Sequence, residues 1–331
     1  MANSNKNQLK GILSLLLTAF VWGTSFVAQS VGSDSVEPFT FIGIRTLLGS
    51  LVLIPVFLIL DIVEVKKDIN KNGSFGGKVF AGLKTKVDIN SIKYGAILGV
   101  ILCVATNFQQ FAFYYSTAGK VAFVTATYMF FIPIVNVIMK KKVPFVTWIC
   151  VVMAFVGLYF LCFMSGKNDS SEISIKSVNK GDFFAFIGAI FFTAQILVIE
   201  KVSSKCDGVK LSCMQFFVAG AISFILMWIF EKPSWPNIKS AAIPILYSGV
   251  LSCGVAYTFQ IIGQKFVSAP IASLIMSLES VFAVLSSAIL IHERLTMHEI
   301  LGCAIMFVAI IISQVADIIQ EKKATVKNQK Q

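Results

Sequence analysis

Two charged side chains stand deep inside apolar runs, Arg45 in FTFIGIRTLLGSLVL and Glu279 in IASLIMSLESVFAVLSSA. On insertion scales, a charge at the centre of a hydrocarbon layer costs at least about 2.5–3.5 kcal/mol. Each therefore needs a reason. A carboxyl can carry a proton or meet an ammonium group, and a guanidinium can grip a carboxylate through paired hydrogen bonds. The plainer readings are a neutral Glu279 bridging two helices and an Arg45 whose head snorkels to an interface. Amides gather on other runs. Asn107 and Gln110 fall at i and i+3, and Tyr257, Gln260 and Gln264 at i, i+3 and i+7. Each set shares one helix face. Amides offer donors and acceptors together, which suits zwitterionic or uncharged polar solutes. Hydrogen bonding between helices, worth about 0.6 kcal/mol on average, accounts for them equally well. Trp22, Ser25 and Gln29 of AFVWGTSFVAQ repeat the i, i+3, i+7 spacing, and Tyr128 and Gln195 add polar groups on two further runs. The candidate substrate-binding set is Trp22, Ser25, Arg45, Asn107, Gln110, Tyr128, Gln195, Tyr257, Gln260 and Glu279.

Other chemistry finds no support. Seven cysteines include no C-x-x-C pair, and the histidines are His292 and His298 alone. No metal or cofactor constellation follows. GSFGGK at 73–78 fails as a phosphate loop, because Asn72 holds the first glycine position and Val79 follows Lys78. The net charge of +11 does not imply nucleic acid, since only Arg45 and Arg294 are arginines. No nucleophile stands beside a base.

The elements that must carry these side chains are membrane helices. The chain is 56% hydrophobic and 14% charged. Soluble domains carry roughly 25% charged residues. Runs of about 20 apolar residues recur at roughly 9–31, 39–62, 93–115, 118–140, 144–164, 181–200, 210–230, 241–264, 268–291 and 295–318. That length spans a bilayer as a helix and is far too long for a barrel strand. The fold class is an all-α membrane protein with ten transmembrane helices. The first run reads as an uncleaved span, since it is too long for a signal peptide. With the N-terminus inside, twenty Lys and Arg fall on inside segments and seven outside, Arg45 apart. Both termini are therefore expected in the cytoplasm of a cell with a multi-pass protein in its membrane, a bacterial inner membrane by composition.

The halves align on one another. KGILSLLLTAFVWGTSF from Lys10 matches KGDFFAFIGAIFFTAQI from Lys180 at offset 170, and LGVILCVATNFQQ at 98–110 matches SGVLSCGVAYTFQ at 248–260 at offset 150. These offsets pair Trp22 with Phe192, Ser25 with Gln195, Arg45 with Gln215 and Gln110 with Gln260. Five helices per copy is an odd number, so the second copy enters the membrane in the opposite sense. Two inverted five-helix repeats with a site between them follow. The boundaries are 1–165 for the first repeat, 166–180 for a polar linker, 181–320 for the second repeat and 321–331 for a basic tail.

AFVWGTSFVAQ, the GIR at 43–45, TAGKVAFVTATYMFFIP at 117–133 and VSAPIASLIMSLESVFAVLSSAILIHERLT at 267–296 resemble EamA-type proteins of the drug/metabolite transporter superfamily. The resemblance implies ten helices in two inverted halves and export of amino acids, metabolites or drugs. Such proteins often carry Glu-Pro after SL. Here Ser280 follows Glu279, so a proline kink loses its basis. The expected function is secondary transport of a small organic metabolite by alternating access. A coupling proton on Glu279 is one candidate driving ion, and the oligomeric state is open. The alternatives are a non-transporting membrane partner, which needs no central cavity, and a membrane-embedded lipid-handling enzyme, which needs convergent His, Asp, Ser or Cys.

Overall fold

The computed structural model describes residues 2–72, 89–116, 118–163, 180–290 and 296–328. GSFGGK, the His292–Arg294 turn and the 166–180 linker apart from Lys180 lie outside them. The described residues form helices and turns, with no strand. The helices are α1 (Ala2–Ser33), α2 (Pro38–Asn72), α3 (Ile89–Phe113), α4 (Ala118–Ala126), α5 (Tyr128–Ile138), α6 (Phe145–Phe163), α7 (Lys180–Val202) and α8 (Gly208–Phe230). After α9 (Trp235–Ser240) and α10 (Ala242–Tyr247), a π-helical segment runs over Ser248–Ala256, followed by α11 (Tyr257–Gln264), α12 (Ala269–Met276), α13 (Glu279–Leu290) and α14 (Met297–Asn328). Eight stretches are long and apolar enough to cross a membrane, and Phe145–Phe160 and Ile300–Ser313 are shorter apolar helices. α14 runs through most of the expected tail, where Glu321, Lys322, Lys323 and Ala324 are good helix formers.

The burial pattern suits lipid. Leu51, Ile59, Trp228 and Phe230 are exposed, while Thr18, Ser25, Gln195, Gln215 and Gln260 are fully buried. Polar side chains are therefore enclosed by protein and apolar ones cover the outside, as hydrocarbon requires.

Cross-packing is reciprocal. α1 lies on the π segment, α11 and α13, while α7 lies on α3, α4 and α5. α2 packs on α8, and α6 on α14. Close approaches use small residues. A side chain at Gly23 would meet Phe282 Cβ at 2.5 Å and the Glu279 carbonyl at 2.6 Å, so α1 and α13 touch backbone to backbone. The two ends of the α2–α8 pair are tied by carboxylates. Asp61 pairs with Lys210 at 2.8 Å. Glu231 accepts from the Phe39 and Thr40 amides and the Thr40 hydroxyl, each at 2.7 Å.

Three spans are interrupted in mid-course. Thr127 separates α4 from α5, and its hydroxyl donates to the Val124 carbonyl at 2.6 Å. Ser277 and Leu278 separate α12 from α13, and the Ser277 hydroxyl donates to the Leu274 carbonyl at 2.7 Å. Side-chain bonds to a carbonyl one turn back compete with the helical ladder and bend it. The bend before Glu279 therefore arises without proline. In the third span, the amide of Tyr257 donates five residues back to Ser252. The Thr18 hydroxyl of α1 reaches the Ala256 carbonyl at 2.9 Å, supplying a donor where the wider π winding departs from the α ladder.

Candidate functional site

The interruptions meet at one place. Tyr128 begins α5, Glu279 begins α13 and Ser252 sits in the π segment, and all three line a central cavity. From α1 come Trp22, Phe26 and Gln29, and α2 adds Arg45. Gln109 and Thr125 lie on α3 and α4, and Phe192, Gln195 and Ile196 on α7, with Tyr257 and Gln260 on α11. The open space is about 30 Å³. That holds one or two waters, so a solute of amino-acid size requires the helices to move apart.

The lining combines aromatic walls with polar groups. The Trp22 and Tyr257 rings stand 4.6 Å apart, and Phe216 meets Tyr257 edge-on at 5.2 Å. The Tyr128 hydroxyl donates to Glu279 at 3.2 Å. Gln195 and Gln260 exchange amide hydrogen bonds at 3.2 and 3.1 Å. The Gln109 amide donates to Thr125 at 3.3 Å.

Arg45 and Glu279 do not pair. Arg45 is 3% exposed, its guanidinium lies 5.5 Å over the Phe41 ring, and its Nε and Nη1 have no hydrogen-bond partner. Trp22 Nε1 and Gln29 Oε1 are buried without partners as well. Leaving such groups unmade costs roughly 1–3 kcal/mol each, more when charged. The cavity wall thus carries a guanidinium, a carboxyl, an indole N–H and an amide oxygen.

A family model described as the EamA-like transporter family matches residues 9–163 and 179–314. The chain belongs to the EamA-like transporter family. Its relatives include an uncharacterized transporter of Archaeoglobus fulgidus, 27% identical over 301 residues, covering 91% of this chain and 84% of that one. Another is the uncharacterized transporter YoaV of Bacillus subtilis, 23% identical over 302 residues, covering 90% and 94%. A protein crystal structure shares the fold with a TM-score of 0.69 at 15% identity, covering 92% of this chain and 96% of that one. This EamA-like chain is thus a multi-pass membrane protein of a transporter family.

Within it, the cavity gathers seven of the ten candidate residues: Trp22, Arg45, Tyr128, Gln195, Tyr257, Gln260 and Glu279. The other three are buried in helix contacts. Ser25 donates to Ser248 at 3.3 Å. The Asn107 amide donates to Ser223 at 2.8 Å and to the Cys103 carbonyl at 2.7 Å. Gln110 donates to Ser33 at 2.7 Å and to the Gln29 carbonyl at 3.3 Å. Phe192 belongs to the cavity and is absent from the candidate set, although the offset of 170 that aligns it with Trp22 carried the signal. Ser252 gave no signal, because nothing in its surrounding residues announces π winding.

Proposed function

We propose that this EamA-like protein is a secondary transporter, an exporter of small organic metabolites such as amino acids, working by alternating access. The carrying observation is the central cavity with its unpaired Arg45 guanidinium and separate Glu279 carboxyl. A zwitterion offers a carboxylate to the first and an ammonium to the second, while Trp22, Tyr257 and Phe192 meet its apolar part. The architecture in this reading is ten crossings in two inverted five-helix repeats, with both termini cytoplasmic. The reciprocal packing supports it. So do the carboxylate ties, for the offset of 170 places Asp61 on Glu231 and Thr40 on Lys210. The offset of 150 likewise places Thr127 on Ser277, the residues at which two spans bend. The chemical gradient of protons drives the cycle through Glu279.

Liposomes carrying the purified protein, loaded with a panel of amino acids and other small metabolites, test the reading. Efflux of at least one solute above protein-free vesicles is expected, and Arg45→Gln should abolish it. No flux across the panel would reject the transport reading.

A further inference from the structure

A second cavity, of about 140 Å³, opens at the lysine-rich end of the bundle, where α1 starts. It lies beyond the central cavity along the same helices. On α5, Tyr128 lines the central space and Asn136 the outer one, with the fully buried Ile132 between them. Along α12 and α13 the order is Glu279, then buried Ile275, then Ile271 at the outer cavity. A solute travelling between the lysine-rich side and the centre would have to part these elements.

Glu200 at the end of α7 holds them together. One carboxylate oxygen accepts from the Ala269 amide, the first residue of α12, at 2.7 Å. The other meets Lys141 Nζ at 2.7 Å. Lys141 is held in place by the turn that ends α5. Lys140 has φ of +59°, a left-handed conformation, and the Lys140 and Lys141 amides donate back to Val137 and Asn136 at 2.9 Å each. This is the two-bond closure that usually recruits glycine. A non-glycine residue there costs roughly 1–2 kcal/mol. One side chain thus joins the ends of α5, α7 and α12.

Among the described residues, the opposite end shows no equivalent of this tie. The offset of 170 that relates α1 to α7 puts Ser30 where Glu200 stands, and Ser30 carries no carboxylate. The same offset sets the carboxylate Asp61 on Glu231, whereas Glu200 meets no carboxylate counterpart.

We infer that the Lys141–Glu200–Ala269 tie is the gate of the lysine-rich end and that its release opens the central cavity to that side. The inference rests on the alternating-access reading. Its test needs no transported solute. Ser252 lines the central cavity, and Ser252→Cys places a thiol there with little change of size. A membrane-impermeant maleimide is applied to cells and to inverted vesicles, and the chain without the added thiol gives the background. With Glu200 in place, the thiol should react slowly from the lysine-rich side. Glu200→Ala should raise that rate several-fold without raising the rate from the opposite side. Lys141→Gln, which keeps the Ala269 bond, should give a smaller rise on the same side, and it carries the test if Glu200→Ala does not fold. Unchanged rates in the folded variants, or an equal rise from both sides, overturn the gate. A one-sided rise without flux of any solute rejects transport and not the gate. Flux with unchanged labelling rejects the gate alone.

Discussion

Glu279 opens α13 immediately after a broken turn, with one hydroxyl donating to it and, among the described residues, no cation paired with it. It is 4% exposed. A glutamine there would still accept from Tyr128 and keep its volume, but it could not release a proton. Glu279→Gln should therefore leave solute binding measurable and remove the pH dependence of flux in liposomes. Unchanged pH dependence would deny it the proton. Gln215 presents a different case. The offset of 170 sets it on Arg45, it is fully buried, and neither its oxygen nor its nitrogen has a partner. It does not line the cavity, so its orphaned amide costs stability without serving the site. Gln215→Met should raise the stability to thermal unfolding in detergent by about 1–2 kcal/mol. A fall of that size would mean the amide is satisfied in the membrane. These two residues show what was legible at this scale. Polar groups inside apolar runs stood out, and most of the cavity's charged and aromatic-polar lining was found that way. Asn107 and Gln110 stood out equally and face neighbouring helices, because spacing along a helix does not reveal whether its polar face meets a hole or a hydroxyl.

The helices touch where side chains are smallest. Gly23 lies against the backbone of Glu279 and Ala283, so the glycine of the WGTSF motif sets how closely α1 approaches the helix carrying the buried carboxyl. A methyl group there has no room at 2.5 Å from Phe282. Gly23→Ala should cost about 1–3 kcal/mol through overpacking, read as a lower melting temperature, with a matching loss of flux as Glu279 shifts. At the other contact, Glu231 ties the end of α8 to the start of α2. Burial pushes its carboxyl above the ordinary glutamate value, and bonds from Thr40 and the Phe39 and Thr40 amides offset this only in part. The folded state thus binds this proton more tightly than the unfolded chain. The resulting stability is fully present below the unfolded pKa and is lost as pH rises through the folded one. The melting temperature should fall as pH climbs out of the ordinary glutamate range, and Glu231→Gln should flatten that slope. An unchanged slope would place the titration elsewhere. The helix breaks themselves were not legible, because Thr127 and Ser277 are ordinary residues for a membrane span. Their hydroxyls bend the helices only in concert with what packs on either side.

At the scale of the molecule, length and hydropathy carried most of the fold. Apolar runs of about 20 residues can only be helices in lipid, and the described residues bear this out with eight long apolar stretches and two shorter ones, Phe145–Phe160 and Ile300–Ser313. Those two are the weakest crossings by length, and they pack on each other as α6 and α14. They decide the topology. If both cross, the count is even and the chain ends share a side; if one fails, the ends separate. The charge distribution places twenty Lys and Arg on the side of the N-terminus and seven opposite, which favours both ends in the cytoplasm. A fluorescent protein that matures only in the cytoplasm, fused after Gln331, should fluoresce. A phosphatase active only outside should be active when inserted near Lys239 and silent at the C-terminus. Phosphatase activity at the C-terminus would mean an odd number of crossings. If the insertion near Lys239 were silent as well, α6 would be the helix that does not cross, and the inverted relation between the halves would go, with the pairing of Asp61 with Glu231 and of Thr127 with Ser277 as copies of one another.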